Sequence, residues 1–195
     1  MKKKPLWVVV ASVIVIFLIP LTFSCSKSNK STSSAAVDSV SFYLTMQSNS
    51  GFTNDIPIVM GSTSQLEILD QTFMTNVGPG FNGKIYQFEF TNTSTNESVQ
   101  FAVPIDSFPT IPANKNFYYN DSSTVPLAEL CSATEGVNNT VSPLPGIKDS
   151  VILNLAIMRY SNNTMDGNFT LIIYVGLDYA QVTLGYFKNV AVKTL

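Results

Sequence analysis

Polarity along much of this chain alternates with a period of two, which restricts it to pleated structure, because successive side chains of a strand point to opposite faces. The stretches 39–47 (SVSFYLTMQ), 84–91 (KIYQFEFT), 97–105 (ESVQFAVPI) and 181–192 (QVTLGYFKNVAV) alternate or are rich in β-branched and aromatic residues, as half-buried strands are. Two more, 151–160 (VILNLAIMRY) and 169–177 (FTLIIYVGL), are more continuously apolar and read as central strands. In KIYQFEF, Ile85, Phe88 and Phe90 do not keep one phase with Tyr86, which calls for a bulge or for burial on both faces. Between the two central strands lies SNNTMDGN, where Asp166-Gly167 is the turn signal, and TNTSTN at 91–96 joins the earlier pair.

Helical signal is confined to 125–133 (VPLAELCSA), with Pro126 in a first turn, Ser123 or Thr124 as cap and Gly136 as stop. Ten prolines, with Gly, punctuate the rest at NVGPGFNG, FPTIPAN and SPLPG. Strands joined by turns every ten or so residues predict an all-β domain over 37–195, an antiparallel β-sandwich of immunoglobulin-like or jelly-roll type. A closed lipocalin-like barrel is the alternative. It is disfavoured because the one Trp, Trp7, lies outside that domain, whereas lipocalins carry a Gly-X-Trp near their first strand.

The first 36 residues are of another kind. Lys2, Lys3 and Lys4 precede an apolar run from Leu6 to Phe23, the layout of a secretory signal peptide. At 18 residues the run also approaches the roughly 17–25 needed to span a bilayer, so a retained anchor competes. The end decides: Thr22-Phe23-Ser24-Cys25 resembles the lipobox of bacterial lipoproteins, in the relaxed form of small Bacteroidetes-type lipoproteins. Thr22 and Phe23 depart from that pattern, which prefers an aliphatic and a small residue there. The resemblance implies a signal peptide over 1–24, acylation of Cys25 and attachment to the outer membrane through lipid. Each buried methylene contributes about 0.8 kcal/mol, so two or three acyl chains hold a protein stably. The stretch 25–36 (CSKSNKSTSSAA) cannot bury enough surface to offset the entropy of ordering it, and reads as a flexible tether. Acidic residues after the lipidated Cys act as a surface-export signal in such lipoproteins. Lys27 and Lys30 stand there instead, leaving periplasmic and cell-surface faces both open.

The stretch DGNFTLIIYV followed by AQVTLGYFKNVAV is similar to the closing hairpin of the same lipoproteins, through Gly167 and Phe169, then Val182, Thr183, Gly185, Phe187, Asn189 and Val190. It implies a β-sandwich ending and no reaction. Asp38-Ser39-Val40 and Asp149-Ser150-Val151 are similar to the O-glycosylation sequon of these bacteria, making Ser39 and Ser150 candidate glycosylation sites.

Charge and missing residue types narrow the function. Five of the 11 basic residues lie in the first 36, so residues 37–195 hold six against all 13 acids, a net charge near −7. That argues against nucleic acid, whose recognition needs a basic patch, and against direct adsorption to anionic headgroups. The chain has no His, which removes Ser-His-Asp and Cys-His nucleophiles and every His-bearing zinc site. Cys131 is the one thiol besides Cys25; with Glu129 and Glu135 near it in sequence it reads as a buried structural cysteine. Asp106, Asp121, Glu129 and Asp149 supply carboxylate pairs for a small hydrolase. Asp166, Asn168, Asn162 and Asn163 offer oxygens for calcium, but a turn explains them without a metal. Phe117-Tyr118-Tyr119-Asn120-Asp121 sets rings beside hydrogen-bonding groups, and Tyr118, Tyr119, Asn120 and Asp121 are the candidate ligand-binding residues. The plain alternative is an edge strand with one Tyr in the core and the other in solvent. The expectation is therefore a non-catalytic envelope lipoprotein without metal or cofactor, binding or structural in role, with protein or glycan as partner. A surface glycan-binding lipoprotein of an uptake system is the alternative, and a carboxylate-dependent hydrolase follows.

Overall fold

A computed structural model describes residues 38–61, 64–73, 83–120, 126–144 and 149–195. The signal segment, Cys25, the tether and Asp121 lie outside the described residues. The fold is all-β, as the alternation requires. Its strands are β1 (Ser39–Ser48), β2 (Gly51–Met60), β3 (Gln65–Phe73), β4 (Gly83–Asn92), β5 (Glu97–Pro104), β6 (Ala113–Asn120), β7 (Ser132–Glu135), β8 (Asn139–Val141), β9 (Asp149–Ser161), β10 (Thr164–Val175) and β11 (Asp178–Thr194).

All eleven strands belong to one curled sheet in the order β6-β9-β10-β11-β3-β4-β5-β7-β8, with β1 and β2 branching from β11. The branch arises because β11 is 17 residues long. Its first part, through Lys188, pairs with β1, while Ala191–Thr194 pair with Glu67–Asp70 of β3. The β11–β3 pairing is parallel, an exception to the expected antiparallel order. The sheet folds over itself, bringing Phe88, Phe90 and Phe101 of β4 and β5 against Phe169 and Phe187 of β10 and β11. Ring centroids are 4.6 Å apart for Phe88–Phe101, 4.9 Å for Phe101–Phe169 and 5.5 Å for Phe88–Phe187. Each buried ring contributes about 1.5–3 kcal/mol by leaving water, and such ring pairs add roughly 0.5–1.5 kcal/mol.

The inward residues of β11 are Ala180 and Val182, then Gly185 and Phe187, then Val190 and Val192. Two steps of three interrupt the period of two, and each falls on a residue with left-handed backbone, Leu184 (φ 50°) and Asn189 (φ 56°). These are β-bulges: an extra residue on β11 faces one on β10, and the phase of everything beyond is reset. Asn189 accommodates this through its partners, its N–H donating to Asp166 Oδ1 at 2.6 Å and its Nδ2 to Asp38 Oδ1 at 2.9 Å. Leu184 is instead turned out to solvent.

The same hairpin explains the spacing of Gly and Phe. Gly167 lies directly across from Phe187, and Phe169 across from Gly185. A Cβ on Gly167 would come within 2.5 Å of the Phe187 ring, and one on Gly185 within 2.7 Å of the Phe169 ring. Each ring thus covers the bare backbone opposite it, the reciprocal aromatic–glycine pairing that pins a register.

Two expected local structures are corrected. The β9–β10 turn is Asn162-Asn163, both at positive φ (53° and 56°), whose twist matches a two-residue hairpin, while Asp166 and Gly167 lie inside β10. The expected helix at 125–133 is a 3-10 turn, Pro126–Leu130, after which Ser132 enters β7 opposite Gln100. Gly136 (φ 68°) serves the β7–β8 turn. For β4, burial on both faces holds and a bulge does not. Its pairing with β3 and β5 runs without a register shift. Ile85 and Ala102 sit on the face opposite Phe88 and Phe101, where the 3-10 turns Ile105–Ser107 and Pro126–Leu130 pack on β4 and β5.

Candidate functional site

Strand parity sorts the residues singled out in the sequence. On β6, Tyr119 points inward, 7% exposed, and its hydroxyl donates to the Ala102 carbonyl at 3.1 Å. Burial pushes its phenol pKa up, so it stays neutral and structural. Tyr118, 61% exposed, points outward. The two rings therefore do not form one platform, and Tyr119 is withdrawn from any ligand by its place in the core. Asn120 closes β6, opposite Ser150. Ser150, near the start of β9, and Ser39, at the start of β1 opposite Lys188, are half-buried and paired.

Cys131 is fully buried, with Sγ 3.4 Å from the Leu127 carbonyl it donates to. Burial pushes its thiol up to about 12, so it is protonated at neutral pH and is no nucleophile. Asp106 and Glu129 stand exposed on the two 3-10 turns and Asp149 begins β9, three separate elements. Asp166 is already engaged. Arg159 donates to it through Nε at 2.7 Å and through a terminal nitrogen at 2.8 Å, and the Asn189 N–H occupies it as well. The guanidinium holds this carboxyl below its usual range, and its oxygens are spent on joining β9, β10 and β11 rather than on a cation. Among the described residues no group of three or more Asp, Glu, Cys or His is placed to hold a metal.

Five polar side chains line up across β3, β4 and the end of β11. Glu67 and Glu89 are direct cross-strand partners on β3 and β4. Gln65 and Lys193 donate to Glu67, and Gln87 donates to Glu89 at 2.6 Å. The Lys193 hydrogen bond lowers the Glu67 pKa, while burial, then the Glu67 charge, raises that of Glu89. Glu89 therefore holds its proton in the folded state to higher pH than in the unfolded chain. Its contribution to stability is full below the ordinary carboxylate value near 4.3 and is lost as pH rises through the folded-state value. Glu89→Gln is thus expected to raise stability at pH 7 by about 0.5 kcal/mol, the scale of an exposed charge pair. Urea melts of both proteins should converge at pH 3; an equal difference at both pH values would show that charge is not the cause.

The outward face of β6, β9, β10 and β11 carries an open groove of about 410 Å³ lined by Asn114, Asn154, Ala156, Asn168, Thr170, Leu184 and Tyr186, with backbone of Phe169 and Gly185. Register explains the arrangement. Asn114, Ala156, Asn168 and Tyr186 are successive partners across four strands, and Ala156, with one methyl, is the low point of that row. In the next row Asn154 stands beside Thr170 and donates to its hydroxyl at 2.9 Å. The bulge puts Leu184, 75% exposed, on the rim beside the half-exposed Tyr186. Tyr118 shares this outward face with Asn114, four residues away, or about 13 Å along an extended strand. No family model, curated protein or solved structure matches the chain.

Of the groove residues, Asn168 was singled out only as an oxygen for calcium, and Phe169 and Gly185 only as parts of the hairpin motif; for ligand binding, attention fell on Tyr118 to Asp121. A signal was present: Asn154 interrupts the apolar run VILNLAIM, and Asn168 and Thr170 flank Phe169 at the alternate phase.

Proposed function

We propose that the chain is a non-catalytic accessory of a bacterial cell envelope, a β domain held to the outer membrane by acyl chains on Cys25 and acting by binding. The supporting observation is the open groove of uncharged hydrogen-bonding groups beside Tyr186, a surface suited to holding a ligand rather than transforming it. The buried, protonated Cys131 and the saturated Asp166 point the same way. Attachment rests on the lipobox-like Thr22-Phe23-Ser24-Cys25 and the Ser-rich tether behind it. In cells making Cys25→Ala, the protein is expected to leave the membrane fraction. Retention in membranes at the wild-type level would sink the lipid anchor. Protease treatment of intact cells then assigns the face: cleavage means the cell surface, protection the periplasm.

A further inference from the structure

We propose that the groove on β6, β9, β10 and β11 binds a neutral oligosaccharide chain, with Tyr186 as the stacking ring, Asn114, Asn154 and Asn168 as hydrogen-bonding groups and Leu184 as the apolar rim. This rests on the binding reading above and names its ligand class.

The lining selects by what it offers. It presents three carboxamides, a threonine hydroxyl and a phenol, with no carboxylate, ammonium or guanidinium. Phosphates and carboxylates are recognised by Arg, Lys or converging backbone N–H groups, and none of the lining side chains is a cation. A sugar hydroxyl both donates and accepts, and a carboxamide is the side chain that answers both functions with one planar group. The Asn154 amide nitrogen is engaged by Thr170, which orients that carboxamide. Asn114 and Asn168 are exposed, with amides open to a ligand. The face of Tyr186 suits the C–H face of a pyranose, as aromatic rings suit ligands with one apolar side and a polar edge. The groove is open rather than enclosed, which suits a chain lying across it. Tyr118, on the same outward face, offers a second ring further along.

Leu184 adds an independent observation. A bulky side chain at φ 50° occupies backbone territory where glycine is at ease, and it does so while projecting into solvent. Nothing in the core is served by that side chain. Its place on the rim beside Tyr186 is what it supplies.

The test is native electrophoresis of the full chain in detergent through gels containing β-glucan, α-mannan, galactan or starch, with polygalacturonate as the charged control. At least one neutral polymer is expected to retard the wild type. Apparent affinity should fall about ten-fold or more in Tyr186→Ala and at least three-fold in Leu184→Gly. Leu184→Gly should melt no lower than the wild type, so lost retardation in it cannot be unfolding. Retardation by polygalacturonate alone, by no polymer, or undiminished in both variants would overturn the proposal. Reducing ends released from the retarding polymer would leave the groove standing and overturn the non-catalytic reading instead.

Discussion

Phe169→Ala is expected to destabilise the domain by about 4 kcal/mol, within the 3–5 kcal/mol that truncating a buried Phe costs. Phe169 lies within 4.9–6.3 Å, centroid to centroid, of Phe42, Phe90, Phe101 and Phe187, rings drawn from β1, β4, β5 and β11. Its loss opens a cavity that neighbours on paired strands cannot close, and the ring contacts are lost with it. Against a total stability of roughly 5–15 kcal/mol, such a loss brings the domain near its unfolding threshold. Urea unfolding at 25 °C measures it directly. A cost under about 1 kcal/mol would mean that β1, β4, β5 and β11 do not meet at this ring.

Gly185→Ala comes next, at about 3 kcal/mol, the upper part of the usual range for overpacking. The added Cβ would meet the Phe169 carbonyl oxygen at 2.6 Å and the Phe169 ring at 2.7 Å. The ring can turn aside, but the carbonyl belongs to β10 and cannot move without disturbing the pairing. Combined with Phe169→Ala, the substitution should therefore cost less than the sum of the two single changes, yet more than Phe169→Ala alone. Strict additivity in that double-mutant cycle would show that glycine and ring are not in contact.

Which parts of this were legible beforehand follows from what is local. The six strands with apolar or alternating sequence are present, because period and β-branched content are written into each segment. β2 was not foreseen: among the described residues it pairs only with β1, as an edge strand, exposes most of its length and contains Pro57 and a bulge at Asp55 (φ 48°). The turn at Asn162-Asn163 was masked by Asp166-Gly167, a strong local signal whose glycine answers a distant demand, the Phe187 ring across the hairpin. Tyr118 and Tyr119 fall as the plain alternative had it, one in solvent and one in the core of an edge strand, because neighbours in a strand face opposite ways and adjacency in sequence means separation in space. The groove was the least legible feature. Asn114, Asn154, Asn168 and Tyr186 meet only through the registers of three strand pairs, and no segment alone contains that information.

The long β11 also orders the protein in time. It follows in the chain every strand it joins, so a ribosome delivers β1, β3 and β10 before the strand that links them. Ser39 must wait for Lys188, and Glu67 for Ala191. Closing such distant contacts comes late and slowly, and until then the nascent polypeptide has no complete core.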